Sequence, residues 1–491
     1  MLKSFALISI IFNMITIFRL FILFVLVGSS AGNFVIDVSA IFDNHMSIND
    51  KLVAIKLMDK ALQNDGYFIV INYDISNLVD SSIKSANNLF SLSDEIKNEF
   101  SIEKLKSFGR GFLPFGKESG LSTYFEVKEG FSYGYSSINE APSSSALHPP
   151  ESLTHPMQQA NIWPNGLHTS DISNFDQLYH HKTIFSKAIL NSLARYLSEC
   201  FNEKYHNYDQ YISTEIDGGE LISLMRIFHY FSTTTPPPSS THTPMSPPPS
   251  YNISSFGQGR ELIGSSPHTD WGLLTVITWN GEPGLQFYNT TAHIWDDLVL
   301  PDGVSHTDMM IINGGDYLKL ISKGRYRSPI HRVVHPSTAC TGESTVDQCI
   351  ANKQQVSQSQ SPPLTTSKDR LSFVYFLYPR HDSVIPRFST PSTDSDLTSG
   401  ERVGQTEIGD TDGVRGHFVD FEYNTLDKGE SEAFLPQSST STVYSTVYSD
   451  SSQATRDSAV DDHDIDGEKS FNNVNVLFGD YIMAKWQGVY R

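Results

Sequence analysis

The sequence predicts a mainly β protein with flanking helices, an α+β chain whose short strands close into a sandwich or barrel. Three observations predict it. From 220 to 388, strand-sized apolar runs alternate with Gly, Pro and Asn, the punctuation of a β core. Ahead of them lie stretches with a helical apolar period. Three polar stretches with hardly an apolar run interrupt this ordered part and fall outside any core.

Taken in chain order, "NFVIDVSAIF" reads as a short strand. "INDKLVAIKLMDKALQNDG" has apolar residues at 52, 55, 58 and 62, a helical stripe with Asn49 as candidate cap and Gly66 as the stop. "YFIVINY" is a strand, and a second helical stretch covers about 81–105. Phe175 to Asn202 reads as a long amphipathic helix, with His180 and His181 solvated at its polar start. The segments "LISLMRIFHYF", "GLLTVITWN", "GLQFYNT", "DMMIINGGDYLKLIS", "PIHRVVHP" and "DRLSFVYFLYP" follow as short strands and turns. The tail "VNVLFGDYIMAKWQGVYR" reads as a returning helix.

This divides the chain into a leader (1–31), an N-terminal region (34–150), a helical connection (151–219) and the β core (220–388). Inserts 232–260 and 337–368 interrupt the core, an acidic insert covers 391–468, and 469–491 carries the last helix. Residues 232–250 contain seven prolines and are neither helix nor central strand. The inserts are expected to be exposed and largely disordered, because they bury too little apolar area to offset the entropy of ordering.

The formal charge of −20 argues against a nucleic-acid partner, which needs a basic face. Most of that charge is local. Residues 391–468 hold 18 Asp or Glu against four Lys or Arg, leaving −6 for the rest of the chain. The leader reads either as a signal peptide, with Ser29-Ser30-Ala31 as cleavage site, or as a membrane anchor over residues 4–28. Three cysteines make no disulfide framework, although Cys340 and Cys349 are close enough in sequence for one local bridge in an oxidising lumen. Sequons at Asn252 and Asn289 matter only in that same compartment.

A polar pair at the mouth of an apolar run needs its own account. In "SSPHTDWGLLTVITWN", His268 and Asp270 stand one residue apart, and on a strand they would share a face. His331 in "SPIHRVVHP" is the best third partner. Two imidazoles and one carboxylate on one face leave three open metal positions, which suits non-haem Fe(II) that activates O2. Zinc would more often be closed by cysteine or a third histidine. A lone His-x-Asp is more often structural; "DRLSFVYF" changes the odds. Arg370 and Ser372 alternate onto one face of an apolar strand, a guanidinium fork and a hydroxyl suited to a carboxylate.

With these motifs in order, the chain resembles the Fe(II)/2-oxoglutarate-dependent dioxygenases of the isopenicillin N synthase-like superfamily. "HTDWGLLT", "INGGDYLKLISKGRYRSPIHRVVHP" and "DRLSFVYFL" carry the resemblance in the core, "FVIDVSAIF" and "DGYFIVINYDI" in the N-terminal region. It implies a double-stranded β-helix (jelly roll) core flanked by N-terminal helices. It implies His268, Asp270 and His331 as iron ligands, Arg370 and Ser372 on the distal carboxylate of 2-oxoglutarate, and Tyr230 in support. Phe228 departs from the pattern, standing where many members have asparagine. His293, His306 and His335 match no motif and read as loop histidines.

The activity so implied is oxidation of a small organic substrate, by default hydroxylation, with O2 consumed and 2-oxoglutarate decarboxylated to succinate. Two alternatives stand beside it: a 2-oxoglutarate-independent iron oxidase of the same fold, and a non-catalytic, membrane-tethered binding protein. Succinate release under air separates them. Fold and cofactor do not name the substrate.

Overall fold

A computed structural model describes residues 34–43, 45–118, 123–136, 155–232, 260–334, 368–386 and 476–489. The leader, Asn252, His335, Cys340, Cys349 and the 391–468 insert lie outside the described residues, as do nearly all of inserts 232–260 and 337–368. The chain divides into two units. The first comprises 1–383, 409–418 and 477–491; of the second, 384–408 and 419–476, only 384–386 and 476 are described. Every described strand and helix belongs to the first unit. Among the described residues, no helix is long and apolar enough to cross a membrane.

The N-terminal region opens with β1 (Val35–Asp37), α1 (Ile48–Asn64) and β2 (Tyr67–Ile71), the two strands pairing in parallel. Helix α1 buries Met58 and Leu62 of the expected stripe, and Gly66, at φ 77°, turns the chain after it. The cap is Ser47, not Asn49. The Ser47 hydroxyl accepts the Asp50 N–H and donates to the Asp50 carboxylate, a reciprocal arrangement that Asn49, already inside the helix, cannot make. The stretch expected as one helix over 81–105 is broken into α2 (Ser76–Phe90), α3 (Asp94–Glu99) and a single helical turn at Ile102–Leu105. Ser93 and Ser101 each start a new helix by capping it.

Three strands follow that the sequence alone did not disclose: β3 (Gly111–Leu113), β4 (Tyr124–Glu126) and β5 (Lys128–Gly134). All seven residues of β5 are buried although it reads "KEGFSYG", so no polar–apolar alternation betrays it. The long helix α4 spans Thr169–Cys200 and starts earlier than expected. Its first turn is held by a buried carboxylate, Asp171, that accepts from Ser85 and Asn88 rather than by apolar packing. His180 and His181 therefore sit mid-helix, the first exposed and the second half-buried against Tyr73. A shorter helix, α5 (Tyr208–Ile216), leads into the core.

The core strands are β6 (Leu224–Tyr230), β7 (Glu261–Ile263), β8 (Ser265–His268), β9 (Leu274–Trp279), β10 (Leu285–Asn289), β11 (Ile294–Asp297), β12 (Met309–Gly314), β13 (His331–Val333) and β14 (Arg370–Leu377). An eight-stranded sheet runs β1-β2-β12-β9-β14-β6-β5-β3, and a four-stranded sheet runs β11-β10-β13-β8. Apart from β1–β2, the neighbours in both sheets pair antiparallel. Ile277, Tyr230 and Val374 of the large sheet pack on Leu285, Phe287 and Val333 of the small one, two faces enclosing one core. This is the double-stranded β-helix.

"DMMIINGGDYLKLIS" splits at its glycines into β12 and a helix, α6 (Asp316–Ile321). The tail forms α7 (Phe478–Val489), whose Phe478 packs on Tyr317 and Tyr378.

Candidate active site

Strand β13 lies antiparallel to β8 with His331 directly opposite His268, and their rings are 4.3 Å apart. Asp270 joins them by a different route from the one its spacing suggested. The strand ends at His268, so alternation does not place Asp270; a loop does. Its backbone carbonyl accepts the Asp316 N–H at 2.8 Å, and Gly315 N–H donates to Leu273. That approach needs glycine at 315, because a Cβ there would overlap the Gly272 carbonyl.

The Asp270 Oδ1 stands 3.9 Å from His268 Nε2 and 3.7 Å from His331 Nε2, and one donor atom from each residue falls within 4.8 Å of the others. Each ring donates its Nδ1 hydrogen to a carbonyl two residues upstream, Ser266 for His268 (2.8 Å) and Pro329 for His331 (3.1 Å). Those bonds fix the tautomer and leave Nε2 as the lone-pair atom facing Asp270. Desolvation and the neighbouring His331 push His268 down to about 4, so its ring is neutral at physiological pH, the state a metal requires. Asn313 on β12, inside the INGG motif but given no role there, donates to Asp270 Oδ2 at 3.3 Å. Two imidazole nitrogens and one carboxylate oxygen make a donor set that fits Fe(II).

The same cavity takes in Arg370, Ser372 and Tyr230. Register puts Arg370 opposite Tyr230 and Ser372 opposite Phe228, all facing inward, and the Arg370 guanidinium lies 5.1 Å from the Tyr230 ring. Arg370 is 2% exposed and Ser372 1%. Yet Arg370 Nε, Arg370 Nη1 and Ser372 Oγ have no hydrogen-bond partner among the described residues. Burial lowers the Arg370 pKa and Tyr230 opposes the shift, but the group stays charged. Buried donors without partners are costly, and a carboxylate between them would satisfy all three. His293 and His306 stand apart from this cavity, the former in the exposed β10–β11 turn.

Beyond Phe228 the cavity ends in residues that sequence reasoning did not single out: Glu118, Glu126, Lys128 and Arg226, with Trp271 and Trp486. Arg226 was reachable in principle, since it alternates with Phe228 and Tyr230 on β6. Lys128 was not, because only the β5–β6 pairing brings it there, nor was Glu118, which meets Lys128 and Arg226 from the segment after β3. On the opposite face of that sheet, His229 bridges Glu129 (2.8 Å) and Asp369 (3.0 Å), tying β5 and β6 to the residue before Arg370.

Two family profiles match the chain in order. Residues 35–166 match the "non-haem dioxygenase in morphine synthesis N-terminal" region, and residues 248–343 match the "2OG-Fe(II) oxygenase superfamily", spanning all three converging side chains. The chain belongs to the 2OG-Fe(II) oxygenases of the isopenicillin N synthase-like superfamily. This oxygenase is 27% identical over 398 residues to the 1-aminocyclopropane-1-carboxylate oxidase of Dictyostelium mucoroides, covering 78% of this chain and 92% of that one. It is 24% identical over 302 residues to the isopenicillin N synthase of Lysobacter lactamgenus (61% and 79% covered). Among solved structures, a putative 2OG-Fe(II) oxygenase of Caulobacter crescentus matches at 19% identity and a TM-score of 0.49, covering 73% of this chain and 90% of that one. The oxygenase is thus a dioxygenase dependent on Fe(II), 2-oxoglutarate and O2.

Proposed function

We propose that His268, Asp270 and His331 hold the Fe(II), that Arg370 and Ser372, backed by Tyr230, receive the distal carboxylate of 2-oxoglutarate, and that the outcome is hydroxylation of a small organic substrate. The observation that carries this reading is the buried Arg370 guanidinium, with Nε and Nη1 unpartnered, beside the unpartnered Ser372 hydroxyl, in one cavity with the three metal donors. Bound iron would supply the O2-activating redox chemistry that couples 2-oxoglutarate decarboxylation to oxidation of the substrate. The chain's part is placement. Arg370 orients the co-substrate bidentately, and the two Nδ1–carbonyl bonds fix the tautomers and aim each Nε2. Apolar walls from Ile277, Leu285, Val333 and Val374 exclude water. Residues 34–150, 151–219 and 220–388 are read as successive parts of one catalytic unit.

The test is Arg370→Lys. A lysine is a point charge and cannot reproduce the fork. Losing one charge-assisted contact of roughly 1.5–3 kcal/mol should raise the 2-oxoglutarate needed for half-maximal succinate formation by about ten- to a hundredfold. Apparent iron affinity should hold, and Ser372→Ala should show a milder form of the same change. Full-rate O2 consumption with substrate and no 2-oxoglutarate would replace this reading with the 2-oxoglutarate-independent oxidase. The apolar segment 4–28 supports a further element, delivery to a membrane or a lumen. Carbonate extraction and sequencing of the mature N-terminus test it, and a full-length chain recovered only from cytosol would exclude it.

A further inference from the structure

The cavity has an arginine at each end, and among the described residues only Arg226 is paired with a carboxylate. β6 turns Arg226, Phe228 and Tyr230 onto the cavity face, so Arg226 lies about 13 Å along the strand from the Tyr230–Arg370 end. Arg370 keeps two donor nitrogens without partners. Arg226 is held by a carboxylate and two rings. Its Nε donates to Ser132 (3.0 Å), its Nη1 to Glu118 Oε1 (2.8 Å), and its guanidinium lies over the rings of Phe228 and Trp486.

Lys128, whose backbone stands opposite Tyr230 but whose ammonium reaches Glu118, is engaged as well. Its Nζ stands 3.3 Å from Glu118 Oε2, 2.7 Å from Glu126 Oε2 and 3.2 Å from Ser265 Oγ. Two buried cations and two buried carboxylates cancel. Glu126 is partly committed elsewhere, its other oxygen accepting from the Ser266 N–H and hydroxyl. Glu118 alone touches both cations.

We propose that Glu118 sets the charge of the substrate: by neutralising Arg226 and Lys128 it makes the far end of the cavity a site for an uncharged, ring-bearing molecule and closes it to carboxylates, a second 2-oxoglutarate included. This rests on Arg370 being the co-substrate's arginine. Such a network is a poor source of stability, since well-packed apolar residues commonly match a buried ion pair. Its effect on recognition is large, because a buried guanidinium without a partner is itself a carboxylate site. Burial would raise the Glu118 pKa, but Arg226 and Lys128 outweigh it and hold the group at about 2, so it is ionised at any working pH. Rings of Phe376, Tyr378, Trp271 and Trp486 line this end and offer a substrate ring its contacts.

A matched pair of probes tests the proposal: 3-phenylpropionamide and 3-phenylpropionate, titrated calorimetrically into the full chain loaded anaerobically with Fe(II) and 2-oxoglutarate. The wild type should bind the amide at least about tenfold more tightly than the acid. Glu118→Gln should strengthen the acid about tenfold or more, narrowing or erasing the amide preference. Equal binding by the wild type, or an unchanged ratio in Glu118→Gln, overturns the proposal.

Should both probes bind too weakly to measure, 2-oxoglutarate stoichiometry decides. One equivalent is expected in the wild type, with a second, weaker one appearing in Glu118→Gln; a second in the wild type, or none in the variant, overturns it. If Glu118→Gln fails to fold, the double variant Glu118→Met with Arg226→Met should keep the amide preference, and loss of that preference counts against the proposal. Arg370→Lys weakens only the first 2-oxoglutarate, so failure of the co-substrate assignment shows up separately.

Discussion

At the scale of single residues, the site rests on groups whose burial makes sense only through their partners. Asn313 donates to Asp270 from the floor of the large sheet and leaves the other carboxylate oxygen toward the two imidazoles. Groups that orient a metal ligand in this way typically contribute ten- to a hundredfold in metal affinity. Asn313→Ala should therefore raise the Fe(II) needed for half-maximal succinate formation by about tenfold, while His331→Ala should abolish turnover in a folded chain; circular dichroism and iron titration check both. An Asn313→Ala enzyme with unchanged iron dependence would mean that Asp270 is held by its backbone alone. The three donors and the Arg-x-Ser pair were legible in the sequence because such side chains are rare in apolar strands. Asn313 and Glu118 were not, since their meaning comes from residues 43 positions or more away that only the sheets bring near.

At the scale of elements, the strands that carry Arg370 are tied on their outer face by His229. Burial alone would lower its pKa, but hydrogen bonds to Asp369 and Glu129 outweigh that and hold it above the ordinary 6.5. A folded pKa raised above the unfolded one contributes stability that is complete below pH 6.5 and lost as pH rises through the folded value. Denaturant midpoints should accordingly fall on going from pH 6 to pH 8.5, and His229→Gln should flatten that part of the fall; an identical slope in the variant would show that the bridge does not titrate in this range. Helix α1 is tied by a second ion pair. Asp59 takes the Arg325 fork at 2.7 and 2.8 Å and the Tyr326 hydroxyl at 3.0 Å. Asp59→Ala should cost roughly 3 kcal/mol by leaving that cation without its partner. Strands such as β9 and β14 were legible because their apolar runs end in turn residues. β5 was not, because its inward face carries the charge of Lys128 and its outward face that of Glu129.

At the scale of the whole molecule, the two sheets enclose a cavity whose far end is finished by α7. That helix buries Phe478, Ile482 and Trp486, and Trp486 meets both Trp271 and the Arg226 guanidinium. Ending the chain after residue 475 should lower the melting temperature by on the order of 10 °C, given about 1.5–3 kcal/mol for each large buried side chain. It should also open the substrate end to water. The helix was legible from its composition, but its part in the cavity was not, because the long acidic insert separates it in sequence from the residues it meets. The central claim, one iron site and one 2-oxoglutarate site sharing this cavity, is tested most directly by anaerobic calorimetry of 2-oxoglutarate on Fe(II)-loaded protein. One equivalent should bind to the wild type, about tenfold or more weakly to Arg370→Lys, and with its metal-dependent part lost in His331→Ala. Equal affinity in the wild type and Arg370→Lys, or no binding by the iron-loaded wild type, would contradict it.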